Sequence, residues 1–462
     1  MEEFMDKIEL LRARRQKLLE SGKEIRSIIS DFTDEKTFVE LDAYSFSRND
    51  FYGADAEGEG VVTGYATING VPVYIVAQNV KVLSGGVSFA NCKKIKKCLD
   101  KAAFAGAPVI YLLDSLGVSV GEGVNVLEGI GEILAASSDL KGRVPQFSVV
   151  LGKVYGSFSV LCANCDCNIM IKDAKIAYAS PFVISAQTGI SEDEIAGEKS
   201  AANSGIVSLT AENVSAARDE ISKILGVLPE YSAYEDSGDD LNRVSENLNE
   251  KVCPKCLQKA VFDDGEFTEF NKDFCPEVAV GVGKIGGIGV GAIIFGGDSH
   301  GVELDAKNVA KIKKFADFTS ENGLPLVTFV NALGVKTDAE TSRSTVLTEV
   351  AELIASLRRN ARLSVVYGKA VGLGYTLFAS KSLGVDYSFA FANAKVALFD
   401  GPVSAVSFGE VREDKIEELE ERYSDENADP VNASKNGFID NIIEPQFVRP
   451  YVASALQMIS ER

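Results

Sequence analysis

Gly64-Tyr-Ala-Thr-Ile-Asn69-Gly70-Val-Pro-Val73 and Gly281-Val-Gly-Lys-Ile-Gly286-Gly287-Ile-Gly-Val290 are one pattern written twice, 217 positions apart. In each copy two apolar runs flank a pair of small residues. Asn-Gly or Gly-Gly between such runs predicts a β-hairpin, because both central turn residues need positive φ. The same offset persists outward. Lys94-Ile-Lys-Lys97 matches Lys311-Ile-Lys-Lys314, in segments of helical periodicity that end near Gly106 and Gly323. Gly106-Ala-Pro-Val-Ile-Tyr-Leu-Leu113 matches Gly323-Leu-Pro-Leu-Val-Thr-Phe-Val330, and both read as buried parallel strands. Further on, Gly152-Lys-Val-Tyr-Gly156-Ser157 matches Gly368-Lys-Ala-Val-Gly372-Leu373, and Asp166 to Ala177 matches Asp386 to Ala397. Strands alternating with amphipathic helices predict an α/β fold used in tandem duplicate. The expected boundaries are an N-terminal helix over residues 1–22, a first domain over 23–230, an acidic linker over 231–255 and a second domain over 256–462.

Composition narrows the chemistry. The chain has 462 residues, 47 basic and 67 acidic side chains, a net charge of −20, a single histidine (His300) and no tryptophan. A multi-histidine metal site is impossible, and a Ser–His–Asp hydrolase would have to use His300. The acidic surface argues against nucleic acid and against anionic membranes. No signal sequence is read at the start, and Val278 to Gly297 is too rich in Gly to read as a membrane span. A cytoplasmic protein is expected. Its eight cysteines fit reduced thiols better than a disulfide framework. Cys253, Cys256 and Cys275 give only three of the four ligands of a zinc ribbon, so no metal is expected. Cys162, Cys165 and Cys167 read as buried thiols in a helical segment. Lys93, Lys94, Lys96, Lys97 and Lys101 read as a solvated helix face. Gly281-Val-Gly-Lys-Ile-Gly286 matches GxGxxG, but a strand rather than a helix follows it, which rules out a dinucleotide site.

Two turns recur at strand ends: Leu116-Gly117-Val118 with Leu333-Gly334-Val335, and the Gly-Lys-x-x-Gly turns that precede helical patterns at Phe158 to Cys165 and Tyr375 to Ser382. Glycine between a strand and a helix leaves backbone N–H groups free at a positive helix end, where they can hold an anion or a developing oxyanion. The bland reading is that these glycines only let the chain turn. His300 lies in a loop-like stretch without a counterpart in the first copy.

The chain resembles the carboxyltransferase subunits of biotin-dependent acyl-CoA carboxylases and decarboxylases, of the propionyl-CoA carboxylase β and methylmalonyl-CoA decarboxylase α type. The likeness runs through Leu10-Leu-Arg-Ala-Arg-Arg-Gln-Lys17, Gly60-Val-Val-Thr-Gly-Tyr65, Gly85-Gly86, Gly106-Ala-Pro108, Glu122-Gly123, Gly283-Lys-Ile-Gly-Gly287, Gly368-Lys-Ala370, Ser380-Lys-Ser-Leu-Gly384 and Ile443-Glu-Pro445. The resemblance implies two crotonase-like ββα domains, the first for acyl-CoA and the second for biotin. It implies oxyanion holes at Gly156 and Ser157 for the thioester and at Leu373 and Gly374 for biotin. Gly85, Gly86, Leu116, Gly117 and Val118 match the acyl-CoA site; Gly334, Val335 and Gly372 match the biotin site. The chain has no biotinylation motif, so biotin must come on a separate carrier protein. The other partners the resemblance implies are a biotin carboxylase or a membrane decarboxylase subunit, and further copies of the chain in a homodimer or hexamer. Leu116, Tyr155 and Leu373 stand where the family pattern has small residues. An alternative is therefore a non-catalytic subunit that assembles with an active homologue; a crotonase-type hydratase using Glu122 or Asp114 is a third.

Overall fold

The structure is a computed structural model that describes residues 2–45, 57–232, 238–409 and 415–460. The chain divides into two compact units, residues 1–223 and 224–462. The first contains α1 (Glu2–Ser21), α2 (Lys23–Phe32), β1 (Val39–Leu41), β2 (Val61–Ile68), β3 (Val71–Gln78), α3 (Phe89–Ala105), β4 (Val109–Ser115), α4 (Val124–Leu140), β5 (Gln146–Tyr155), α5 (Ser157–Asn164), β6 (Cys167–Ile171), β7 (Lys175–Ala177), α6 (Pro181–Thr188), α7 (Glu192–Ala196), α8 (Glu198–Asn203), β8 (Leu209–Ala211) and most of α9 (Val214–Leu225). The second contains α10 (Pro254–Val261), β9 (Phe267–Phe270), β10 (Val278–Ile285), β11 (Ile288–Phe295), β12 (Val302–Leu304), α11 (Ala306–Glu321), β13 (Leu326–Val335), α12 (Ala339–Ser342), α13 (Val346–Arg358), β14 (Arg362–Val371), α14 (Leu373–Phe378), β15 (Tyr387–Phe391), β16 (Lys395–Ala397), α15 (Ile416–Asn427), α16 (Pro430–Lys435), β17 (Asn441–Ile443) and α17 (Val448–Ser460).

The duplication holds strand by strand. The first sheet runs β1-β2-β3-β4-β5-β6-β8 with β7 on β5; the second runs β17-β15-β14-β13-β11-β10-β9 with β12 on β13 and β16 on β14. β2 and β3 close as an antiparallel hairpin around Asn69-Gly70, and β10 and β11 around Gly286-Gly287. The strands that follow are parallel. The register slips between Leu113 and Ser115 in one unit and between Val330 and Ala332 in the other, the same place in both copies. The first core lies between the sheet and α3, α4 and α5, around Ile95, Leu99, Tyr111, Leu113, Ile133 and Phe158. Each fully buried aliphatic side chain there contributes roughly 1.5–3 kcal/mol relative to exposure.

Two charged devices are also duplicated. Asp34 accepts the N–H groups of Asn69 and Gly70, each at 2.9 Å, and pairs with Arg218. Asp263 does the same for Gly286 and Gly287, each at 2.8 Å, and pairs with Arg449. Each hairpin turn is thereby held by a carboxylate that is itself held by an arginine. The second device corrects the solvated face expected on α3. Lys94 is buried, and its Nζ donates to Gly58 O and Val61 O. Its counterpart Lys311 is buried and donates to Asn271 O, Phe274 O and Cys275 O. Each lysine ties its helix to the loop that leads into the hairpin.

Burial pushes both lysines down from 10.5 to about 8. Between those values the unfolded chain holds a proton that the folded chain has lost, so these groups make stability rise with pH. Burial pushes Cys92, Cys98 and Cys162 up to about 12, which acts in the opposite direction above the ordinary thiol value of 9.0. Stability to denaturant should therefore rise from pH 8 to 9 and then level or fall. Lys94→Met should flatten the rise. An unchanged rise in that variant would contradict this account.

Several local expectations change. The N-terminal helix expected over residues 1–22 ends at Ser21, where the Gly22 N–H donates to Leu18 O at 3.3 Å. The Gly22 φ is −119° and α2 begins at once; a Cβ there would lie 1.9 Å from Nη1 of Arg26, whose Nη2 reaches Glu40 at 2.7 Å. Residues 238–255 do not hang free as a linker. Leu248 is buried, Arg243 donates to Lys259 O and Phe262 O, and Arg449 donates to Asp240 O, so the stretch packs on the second unit. Residues 233–237 lie outside the described residues. Of the cysteine cluster only Cys162 is helical; Cys165 follows α5 and Cys167 opens β6. Cys253 and Cys256, expected as thiols, are joined in a disulfide. Among the described residues no group of three or more His, Cys, Asp or Glu is placed to hold a metal, and no helix is long and apolar enough to cross a membrane.

Candidate functional site: two backbone cradles

In the first unit β4 ends in Ser115 and the chain turns at Gly117, whose φ of +113° disfavours a side chain. Gly117 donates to Ser115 Oγ at 3.2 Å, and its carbonyl accepts from Val87 at 3.0 Å. This leaves the N–H of Val118 without a partner among the described residues. β5 ends beside it in Tyr155, and Gly156 (φ 65°, ψ −141°) caps α5. A Cβ on Gly156 would sit 4.0 Å from the Cα of Gly117, and one on Gly117 would sit 3.9 Å from Tyr155 O; flanking residues aside, no side chain comes as near to either. The two turns therefore face each other across open space.

The expected donor at Gly156 is corrected. Its N–H donates to Tyr178 O at 2.9 Å and is not available to a ligand. The next N–H, that of Ser157, is the first of α5 and has no partner among the described residues. The free pair at this cradle is Val118 and Ser157, aided by the positive end of the helix. Gly85 and Gly86, expected at the acyl-CoA site, lie in a tight turn beside this cradle. A Cβ on Gly85 would lie 2.1 Å from Asp114 O, and one on Gly86 would lie 2.7 Å from Leu83 O. Gly85 lets the chain pass against the end of β4, and Gly86 closes the turn onto Leu83. Leu83, Ser84 and Gly85 are all left-handed, and Ser84 O accepts the Leu116 N–H. That strained support beside the cradle left no signal in sequence beyond the glycine pair.

The second unit repeats the plan. Gly334 (φ 137°) lies near the end of β13, and Gly372 (φ 52°, ψ −122°) caps α14. The Gly372 N–H donates to Ala397 O at 3.0 Å. The N–H groups of Leu373 and Gly374 have no partner among the described residues. A Cβ on Gly334 would sit 3.5 Å from the Leu373 nitrogen, so these turns also meet. Gly374 is needed for contact, since its Cβ would lie 2.4 Å from Ala332 O. Val335 pairs with Leu304 on β12. α14 ends at Phe378, shorter than the helix expected through Ser382.

One polar side chain fixes each turn. Asp114 accepts the Lys153 N–H at 3.0 Å, and Asn331 accepts the Lys369 N–H at 2.9 Å. Gly152 and Gly368 make room for them, because a Cβ would come within 2.6 Å and 2.4 Å of their oxygens. Burial raises the Asp114 carboxyl above its ordinary value, against the Lys153 hydrogen bond and charge. The repeated Gly-Lys in the sequence was the trace of this device. Glu122, the other acid considered for hydratase chemistry, is engaged: it accepts the Phe89 N–H at 2.6 Å at the start of α3. His300 is exposed in a turn. A cavity of about 730 Å³ lies elsewhere in the second unit, between the hairpin turn at Gly287 and the starts of β13 and β14 at Pro325 and Ala361, away from the Gly334 turn.

Each unit thus ends two parallel strands in facing glycine turns that leave backbone N–H groups at a helix start without a partner among the described residues. The chain belongs to the carboxyl transferase family: the model of the carboxyl transferase domain matches residues 19–462. It is 29% identical to the propionyl-CoA carboxylase carboxyltransferase subunit of Haloferax mediterranei, covering 99% of this chain and 96% of that one. It is 28% identical to the methylmalonyl-CoA decarboxylase α subunit of Veillonella parvula, over 100% and 97% of the two chains. The fold is that of transcarboxylase 12S, solved as a hexamer with methylmalonyl-CoA bound: TM-score 0.92, 24% identity, 100% of this chain and 96% of that one. The family and the duplicated crotonase-like fold expected from sequence are both borne out.

Proposed function

We propose that the chain moves a carboxyl group between carrier-bound biotin and the α-carbon of a short acyl-CoA. The observation that carries this reading is the duplicated cradle: free N–H groups at Val118 and Ser157 in one unit, and at Leu373 and Gly374 in the other. In this reading Val118 and Ser157 bind the thioester oxygen and stabilise the enolate that forms when the α-carbon gains or loses its carboxyl group. Leu373 and Gly374 hold the ureido oxygen of biotin. Biotin, when bound, supplies the ureido nitrogen that gives or takes the carboxyl group. Such donors act without a titrating side chain, which suits a chain with one exposed histidine.

The names of the relatives support propionyl-CoA or methylmalonyl-CoA as the substrate class. They also support partnership with a biotin carrier protein, and the hexameric 12S neighbour supports self-association. The open first cradle favours activity over a purely structural subunit. Leu116 is 52% exposed and its side chain does not come within 4 Å of the Gly156 Cβ position, nor does the Tyr155 side chain come within 4 Å of that of Gly117. The test is decarboxylation of methylmalonyl-CoA or malonyl-CoA by the purified chain with free biotin. Biotin-dependent turnover is expected. A folded protein that neither decarboxylates nor binds these thioesters would overturn the reading.

A further inference from the structure

Five of the eight cysteines, Cys92, Cys98, Cys162, Cys165 and Cys167, are buried single thiols. Burial pushes the first three up to about 12, and the half-buried Cys275 up to about 11. The thiolate is the reactive form, so these groups are inert at neutral pH. Cys253 and Cys256 differ in their bonding and their place. They are bonded to each other, half-buried, and set at the first turn of α10 as Cys253-Pro254-Lys255-Cys256. Cys253 is the residue that caps the helix, and its sulfur accepts the backbone N–H of Cys256 at 3.1 Å. Pro254 at the first helical position has no N–H to leave unsatisfied and presets the turn. A sulfur that accepts a helix-terminal N–H is stabilised as an anion by that bond and by the helix dipole. Lys255, exposed between the two cysteines, adds a positive charge.

We propose that Cys253 and Cys256 form a reversible dithiol–disulfide site that exchanges with low-molecular-weight disulfides and dithiols, with Cys253 as attacking thiolate and Cys256 as resolving thiol. In the oxidising direction the Cys253 thiolate attacks one sulfur of a small disulfide, forms a mixed disulfide and releases one thiolate. Cys256 then gives its proton to solvent and attacks the Cys253 sulfur, which expels the second small thiolate. The protein loses two electrons and two protons, and the small disulfide becomes two thiols. A dithiol runs both steps in reverse. The exchange should stay within the first turn. Leu257 and Val261 anchor α10 in the core, and its end is held by Arg449 on Val261 O and Arg243 on Phe262 O.

The test equilibrates the full chain in buffers of set oxidised-to-reduced dithiothreitol ratio, quenches in acid, alkylates and maps the peptides by mass. The peptide carrying Cys253 and Cys256 should bear two alkyl groups or none. Its oxidised-to-reduced ratio should change tenfold for each tenfold change in the buffer ratio, with circular dichroism unchanged. In Cys256→Ser, oxidised glutathione should become trapped on Cys253; in Cys253→Ser, labelling of Cys256 should be at least tenfold slower. A second readout needs no variant: in the reduced wild type, Cys253 should alkylate at least tenfold faster than Cys275. Independent labelling of the two cysteines at every ratio, or equal rates for Cys253 and Cys275, would overturn the proposal.

Discussion

Ser157→Pro is expected to lower biotin-dependent decarboxylation of methylmalonyl-CoA by about 10²–10³-fold, the usual cost of deleting one oxyanion donor. The substitution removes the N–H and little else. Ser157 is the first residue of α5, the one helical position where proline is welcome. The residue before it is Gly156, at φ 65° and ψ −141°, and glycine accepts the restriction that a following proline imposes more readily than any other residue. Ser157→Ala keeps the N–H and should leave turnover nearly unchanged. This contrast separates a backbone donor from a hydroxyl. Leu373→Pro makes the same deletion at the first position of α14, and should lower turnover while leaving acyl-CoA binding intact. Full activity in Ser157→Pro, with a normal circular dichroism spectrum, would remove Ser157 from the mechanism.

The fold was legible because its signals are backbone signals. Asn69-Gly70 and Gly286-Gly287 can only be tight turns between apolar runs, and the repeat at a constant offset made each copy evidence for the other. The turns at Gly117, Gly156, Gly334 and Gly372 were legible for the same reason. Which N–H stays free was not. Gly156 and Ser157 are adjacent in sequence, but only the pairing of β5 with β7 carries the Gly156 N–H to Tyr178 O. Lys94 was misread because its neighbours Lys93, Lys96 and Lys97 do point outward. Burial of one lysine among five depends on the carbonyls of Gly58 and Val61, which lie more than thirty residues away in sequence. The Asp–Arg clamps were invisible because Asp263 and Arg449 are far apart in sequence and follow a different offset from the hairpin they hold. Side-chain partners set by long-range topology leave no periodic trace.

Arg449→Met should cost the second unit about 3–5 kcal/mol, the range for breaking a buried ion pair by removing one partner. The Arg449 side chain is fully buried. Its Nε donates to Asp240 O at 2.9 Å, its Nη1 to Val261 O, and its Nη2 to Asp263 at 2.7 Å. Methionine fills much of the volume but takes the arginine from two carbonyls, from Asp263 and from Asp239, which lies 3.5 Å from Nη2. The Asp263 carboxylate is also the group that holds the hairpin turn, so the loss reaches β10 and β11. Arg218→Met in the first unit should cost less, because that guanidinium is partly exposed and sits 3.1 Å from Asp34. The ranking can be read from the midpoints of chemical denaturation, followed by probes placed in each unit because two units need not unfold together. Acid provides the control. Burial alone would raise the Asp263 carboxyl, but the Gly287 N–H, the Arg449 hydrogen bond, the Gly286 N–H and the arginine charge outweigh it and hold it below 3.8. A depressed carboxyl contributes stability above its unfolded value and loses it as pH falls through the folded one. The gap between wild type and Arg449→Met should therefore be full at pH 6 and shrink below pH 3.8. A gap that persists unchanged into strong acid would mean that Arg449 acts by packing and carbonyl binding rather than through Asp263.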